Sequence, residues 1–364
     1  MNIATHPWFL AFAGLGAGIL LGFVARANHF CTMSALERMW YADDSRGVRT
    51  WMLAAATAMI ATQSLQALGV VDTQSSFYIH SSFAWVGAIA GGLAFGIGMA
   101  LVGTCSFGAL VRLGGGSLRS LIVLIVLGLA AMSAQKGLVA QARVALSDNH
   151  AIDLSEMGGQ SIGALASWWS GHDLTLTIAL VAGLAMFCWI FSERRYRSHA
   201  GSILTGLTIG LIITFGWWAT TYASEHSFEV VQIEAGSFVV PVADTILHAI
   251  TFTGVVPDYG VGLVLGVIGG AAACAAWKRD VRWEACDDAR ELGRHIAGGA
   301  LMGFGGVFAM GCTIGQGVTG VSALAISAPL VLASIFLGAK LGLAYLIEGS
   351  PLGAFRAMDR QPAE

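Results

Sequence analysis

The sequence predicts an all-α integral membrane protein of about nine transmembrane helices with short re-entrant helices or loops, built as two inverted repeats. Three observations lead there. Of 364 residues 56% are hydrophobic and only 11% charged, where a soluble domain has roughly a quarter of its positions charged. With a mean hydropathy of +0.72, water is not the main solvent, and a soluble enzyme is set aside. Apolar runs of about 20 residues, the length that crosses ~30 Å of hydrocarbon, recur between charged breaks. Finally, a glycine and cysteine motif of the first half returns in the second.

The expected spans run from Phe9 to Val24, Trp51 to Val71, Phe83 to Val102, Leu118 to Ser133, Leu174 to Phe191, Gly201 to Thr221, Gly260 to Trp277, Ile296 to Met310 and Leu330 to Ile347. The start, Met1 to Pro7, lacks the basic region of a cleaved signal, so the first run is expected to stay as a membrane helix. The 48 glycines against 6 prolines suit helices that approach closely in lipid. Basic residues cluster in alternate loops: Arg26, Arg38, Arg46 and Arg49; Arg112 and Arg119; Arg194, Arg195 and Arg197; Lys278, Arg279, Arg282, Arg290 and Arg294; and Arg356 and Arg360 of the tail. Only Lys136, Arg143 and Lys340 lie elsewhere. Because cytoplasmic loops retain positive charge, the N-terminus is expected outside and the C-terminus in the cytoplasm. The segment from Lys136 to Asp173 is too polar to span; it reads either as an outer linker between halves, with Trp168 and Trp169 at the interface, or as a plain extracellular loop.

Ile89-Ala90-Gly91-Gly92 recurs 207 residues on as Ile296-Ala297-Gly298-Gly299. At the same offset Gly96, Gly98, Cys105 and Gly108 fall on Gly303, Gly305, Cys312 and Gly315. Five spans separate the motifs, and an odd number reverses direction, so the halves are expected to be inverted. Inverted repeats with glycine-interrupted apolar segments point to a transport site near the midplane. The division expected is a first repeat over 1–138, a linker with an outer amphipathic segment and a connecting helix over 139–200, a second repeat over 201–350, and a cytoplasmic tail over 351–364.

In Gly103-Thr104-Cys105-Ser106-Phe107-Gly108 and Gly311-Cys312-Thr313-Ile314-Gly315-Gln316-Gly317 an apolar helix enters a small polar turn without reaching charge. Such irregular backbone at membrane depth must be enclosed by protein or line a cavity. Glycine turns expose N–H groups that cradle anions, and thiols add soft, weak donors suited to a sulfur-bearing anion. Thr104, Cys105, Ser106, Gly108, Cys312, Thr313, Gly315 and Gln316 are therefore candidate substrate contacts. Cys31, in the short apolar stretch His29 to Ala35, joins them, on what reads as a further re-entrant helix. Its counterpart is expected within Asp244 to Val256, which offers Thr251 and Thr253 and no cysteine. Cys188 and Cys274 read as small buried hydrophobes, and Cys286 as an incidental exposed thiol. No C-x-x-C pair, metal-ligand spacing, P-loop or basic nucleic-acid patch occurs, so no metal, cofactor or nucleic acid is expected.

At these motifs, and at Arg26-Ala27-Asn28-His29-Phe30-Cys31 and Arg112-Leu113-Gly114-Gly115-Gly116-Ser117, the chain resembles the YeeE/YedE family of sulfur-compound transporters over most of its length. The resemblance implies thiosulfate uptake at the bacterial inner membrane and an hourglass of inverted halves. It also implies an inward relay through Cys31, Cys105 and Cys312, and a small TusA-like sulfur-carrier protein meeting the basic face. A selenium compound is the alternative cargo, since related proteins serve selenium metabolism. The competing reading is a membrane thiol-disulfide oxidoreductase, which would trap a Cys105 to Cys312 disulfide where a transporter keeps both thiols free.

Overall fold

The computed structural model describes residues 6, 8–227, 230–254 and 256–349. The chain start read for a signal, apart from His6, and the tail over 351–364 lie outside the described residues. In chain order the helices are α1 (Phe9–Ala27), α2 (Thr32–Tyr41), α3 (Arg46–Ala67), α4 (Trp85–Val102), α5 (Ser106–Gly114), α6 (Leu118–Lys136), α7 (Leu138–Leu146), α8 (Ile162–Ser170), α9 (Thr175–Ser192), α10 (Arg194–Arg197), α11 (Ala200–His226), α12 (Val240–Thr251), α13 (Tyr259–Trp277), α14 (Ala289–Phe308) and α15 (Ser327–Glu348). The only sheet among the described residues pairs β1 (Ser82–Phe83) with β2 (Ile152–Asp153), antiparallel. This is an all-α integral membrane protein.

Each expected span is helical over most of its length, those ending at Val71 and Met310 and the one starting at Phe83 overrunning their helices by two to four residues. Seven helical stretches, those containing α1, α4, α6, α9, α11, α13 and α15, are long and apolar enough to cross a membrane. The other two expected spans fall on α3 and α14, 22 and 20 residues long, whose first turns are charged. α14 begins seven residues before its apolar run because Asp288 caps it, its carboxylate accepting from Glu291 N at 2.6 Å. α3 likewise begins at Arg46, whose guanidinium is held by Asp44 at 2.8 Å. Capping and ion pairing start a helix where hydropathy shows nothing.

Glycine decides how the helices meet. Gly14, Gly18 and Gly22 of α1 lie against the carbonyls of Tyr259, Leu263 and Val267, and Gly262, Gly266 and Gly270 of α13 lie against those of Ala11, Leu15 and Ile19. A Cβ at any of the six would overlap a carbonyl oxygen, so backbone packs on backbone at four-residue spacing, the close approach favoured in lipid. The numbers rise together, so α1 and α13 run parallel. α4 and α14 run antiparallel: Gly91 meets Gly305, and Gly98 meets Gly298. Gly96 of α4 packs on Ile335, Gly338 and Ala339 of α15, and Gly303 of α14 packs on Leu127, Ala130 and Ala131 of α6.

The basic loops gather at one end of the molecule. Arg26 pairs with Asp280 at 3.4 Å, Lys278 Nζ donates to Ala27 O at 2.7 Å, Arg49 pairs with Glu193 at 2.7 Å, and Arg119 with Glu291 at 2.6 Å. At the other end, residues 137–174 are more than a plain loop. They form α7, α8 and β2, and Gln160 and Ser161 are buried where Ile162 N donates to Leu324 O and Ile326 N to Gln160 O. Trp168 and Trp169 are exposed.

Between α11 and α12, residues 230–239 form no helix or strand, yet Ala235, Phe238 and Val239 are buried. Side chains satisfy this backbone: Thr220 Oγ1 donates to Glu234 O at 2.8 Å, and Thr319 Oγ1 to Gly236 O at 2.7 Å. Non-helical chain inside a membrane protein needs such partners.

Candidate functional site

The first motif is built by a helix stop and an immediate restart. Gly103, with φ +74°, ends α4 in the left-handed region, where a side chain is disfavoured. Cys105 then caps α5, its sulfur accepting from Gly108 N at 3.4 Å. Cys31 stands at the matching N-cap of α2, its Sγ 3.7 Å from Thr104 Oγ1 and neighbouring the Cys105 thiol. A Cβ at Gly108 would overlap Thr104 Oγ1 and lie 3.4 Å from Cys31 Sγ. Glycine there is what lets Cys31, Thr104 and Cys105 converge. Ser106 Oγ is buried and makes no hydrogen bond among the described residues.

The second motif repeats the device. After α14 the chain turns at Met310 (φ +56°) and Gly311 (φ +154°), and Cys312 Sγ accepts from Gly315 N at 3.3 Å. Both Cys105 and Cys312 are 0% exposed. Thr32 Oγ1 donates to Thr313 Oγ1 at 3.4 Å, which ties the residue after Cys31 to the residue after Cys312. Phe30, Phe107 and Phe238 pack in sequence, with centroids 6.3 and 4.9 Å apart. Three cysteines from distant parts of the chain thus reach one core.

Residues 27–341 match a family described as sulphur transport. The chain belongs to this family. It is similar to the thiosulfate transporter TsuA of Escherichia coli (strain K12), 28% identical over 320 residues covering 84% of this chain and 86% of the relative. It is also similar to the thiosulfate transporter TsuA of Spirochaeta thermophila, 26% identical over 362 residues covering 90% and 96% of the two chains. The YeeE/YedE resemblance drawn from the motifs leads to the same sulphur-transport family, and the protein is a multi-pass membrane protein.

In this family member the site differs from the sequence reading in four respects. The N–H groups of Gly108 and Gly315 do not stand open as an anion cradle: they are turned onto the cysteine sulfurs. Gln316 is fully used inside the protein, Nε2 donating to Ala309 O at 3.0 Å and Met310 O at 3.2 Å while Oε1 accepts from Ser327. The short helix of the second half is Val240–Thr251 and not Asp244 to Val256, so the N-cap position held by Cys31 in α2 is held by Val239 in α12. Thr251, at the far end, bonds to Leu247 O of its own helix, and Thr253 is exposed; neither approaches the cysteines as a replacement. Fourth, Cys188 is exposed on α9, whereas Cys274 is buried in α13. Cys286 lies in the loop before α14; burial, then Glu291, lifts its thiol above the usual range, which keeps it protonated and poorly nucleophilic.

The basic end opens toward Cys31. A cavity of 230 Å³ touches Cys31 and Thr104 and is walled by Arg26, His29, Arg38 and Arg112. Arg112 donates to Gly103 O at 3.0 Å, but neither it nor Arg38 forms an ion pair among the described residues. Across a second cavity of 170 Å³ beside Cys31, Asp44 neutralises Arg46, whose hydrogen bonds hold that carboxyl at about 2. Guanidinium charge without an ion-pair partner, that of Arg38 and Arg112, therefore sits at the mouth next to a thiol, a field that draws anions.

Sequence reasoning missed Tyr78 and Ser237. Tyr78, in a single helical turn before α4, is 2% exposed, and Ser237 in the buried irregular segment is 6% exposed. Tyr78 stands in a polar inter-span stretch with no pattern to mark it. For Ser237 a signal existed: Pro241 marks a helix start, which would have set Phe238-Val239 beside Phe30-Cys31.

Proposed function

We propose that this protein takes up thiosulfate, or a closely related sulfur anion, across the bacterial inner membrane by transient hydrogen bonding along a passage lined by Cys31, Cys105 and Cys312. One observation carries this reading: two buried thiols, each oriented by a glycine N–H three residues on, lie in one core with a third thiol that opens to a basic cavity. The relatives named thiosulfate transporters support the substrate. A bare anion faces a large desolvation penalty at depth, so donors must replace its water without any one holding it tightly. Thiols are weak donors with polarisable sulfur, and Thr104, Ser106 and Thr313 supply hydroxyls beside them.

The same reading includes two inverted halves, 1–138 and 201–350. Reciprocal packing supports it: Gly91 and Gly98 meet Gly305 and Gly298, so each glycine faces the other's repeat partner, the relation a two-fold axis imposes. With nine crossings the termini fall on opposite sides. The end where the basic loops gather is the cytoplasmic one by the positive-inside rule, and a small TusA-like sulfur carrier would receive the ion there.

The test is labelled thiosulfate uptake by cells with matched membrane levels of each variant. Cys105→Ser and Cys312→Ser are each expected to abolish most uptake, since serine keeps size and a donor but loses the soft contact; Cys188→Ser is expected to do little. Near-normal uptake by the Cys105→Ser, Cys312→Ser double variant would overturn the thiol passage.

A further inference from the structure

Gly108 and Gly315 hold equal places in the two motifs. Each turns its N–H onto the cysteine three residues earlier, and each lacks a side chain where two polar groups converge. At Gly108 those groups are Thr104 Oγ1 and Cys31 Sγ. At Gly315 they are Ser237 Oγ and Tyr78 Oη, both 3.1 Å from the point a Cβ would occupy. The Tyr78 hydroxyl is buried and makes no hydrogen bond that meets full bonding geometry among the described residues, and the Ser237 hydroxyl lies beside it at the same Gly315 position. Buried hydroxyls are nearly always paired, so an orphan aimed at the Cys312 turn points to a partner that comes and goes.

The chemistry of the two places differs. On the basic side the pair is a thiol and a hydroxyl; beside Cys312 it is two hydroxyls. Hydroxyls are hard donors that match sulfonate oxygens, whereas thiols match the terminal sulfur. Resting on the uptake reading above, we propose that Tyr78 and Ser237 form an oxyanion subsite beside Cys312. It takes the oxygen-bearing end of a thiosulfate-like anion and directs the terminal sulfur to the thiols. The subsite fills the role in the second half that Val239, at the position matching Cys31, has no donor to fill.

Uptake kinetics of labelled thiosulfate test this with Tyr78→Phe, Ser237→Ala, their double variant and Ser237→Thr. Losing a hydrogen bond to a charged ligand is expected to raise KM about tenfold in each of the first two, and further in the double variant. Vmax per inserted protein is expected to hold, and Ser237→Thr to keep the wild-type KM. An unchanged KM in the double variant, or a fall in Vmax alone, overturns the subsite in favour of packing. If Tyr78→Phe does not insert, Ser237→Ala and Ser237→Thr carry the same comparison. Absence of saturable uptake by the wild-type protein would instead overturn the transport reading itself.

Discussion

Gln316 shows how one side chain in the second cysteine motif can be structural. Its amide closes the turn after α14 by donating to the carbonyls of Ala309, the helix cap, and Met310, the first turn residue. Gln316→Leu would leave the buried Ala309 carbonyl unmet, at a cost of about 1–3 kcal/mol, and the half-buried Met310 carbonyl without its partner. The expected outcome is a clearly lower melting temperature in detergent, with uptake lost in proportion to folded protein. An unchanged melting temperature with a raised KM would make Gln316 a substrate contact after all. The cysteines contrast with it: their sulfurs accept one N–H each, which orients the thiol and leaves its proton free to donate.

Among the elements, the interface of α1 with α13 separates glycines that must be glycine from those that need not be. Gly18 and Gly266 face carbonyls, while Gly16 and Gly269 have nothing within 4 Å of the point a Cβ would occupy. Gly16→Ala and Gly269→Ala are expected to be neutral or to stabilise by up to ~1 kcal/mol, since alanine is the better helix former. Gly18→Ala and Gly266→Ala force the helices apart and are expected to destabilise by about 1–3 kcal/mol or more. Thermal unfolding of the four purified variants checks it, and a common effect at all four sites would contradict the zipper. Spacing alone does not tell the two classes apart, because Gly14, Gly16, Gly18 and Gly22 look alike until the partner helix is known.

For the molecule as a whole, charge placement governs insertion. Arg194, Arg195 and Arg197 are exposed at the basic end, away from the cysteine core, so their neutralisation to Gln is expected to lower the amount correctly inserted while leaving the uptake KM unchanged. Tags on the two termini of the wild-type protein are expected to be labelled from opposite faces, the N-terminal one from outside. A selective rise in KM with normal insertion, or both tags labelled from one face, would contradict this arrangement.

Membrane residence, the places of the spans and the two cysteine motifs were legible in the residues, because hydropathy and spacing are local properties that the bilayer reads directly. Helix starts at Arg46 and Asp288 were not, since capping and ion pairing act outside the apolar runs. The irregular buried segment through Ser237 and the buried turn at Tyr78 were also invisible. Their burial depends on Thr319, Thr220 and Gly315, which come from remote parts of the chain. Sequence spacing placed Cys105 and Cys312 as equivalents, but only the tertiary packing brought Cys31 and Thr104 to one and Tyr78 and Ser237 to the other. The reason is physical: which donors meet at a side-chain-free glycine is set by how helices cross, and glycine-mediated crossings are chosen by the partner surface rather than by the glycine itself.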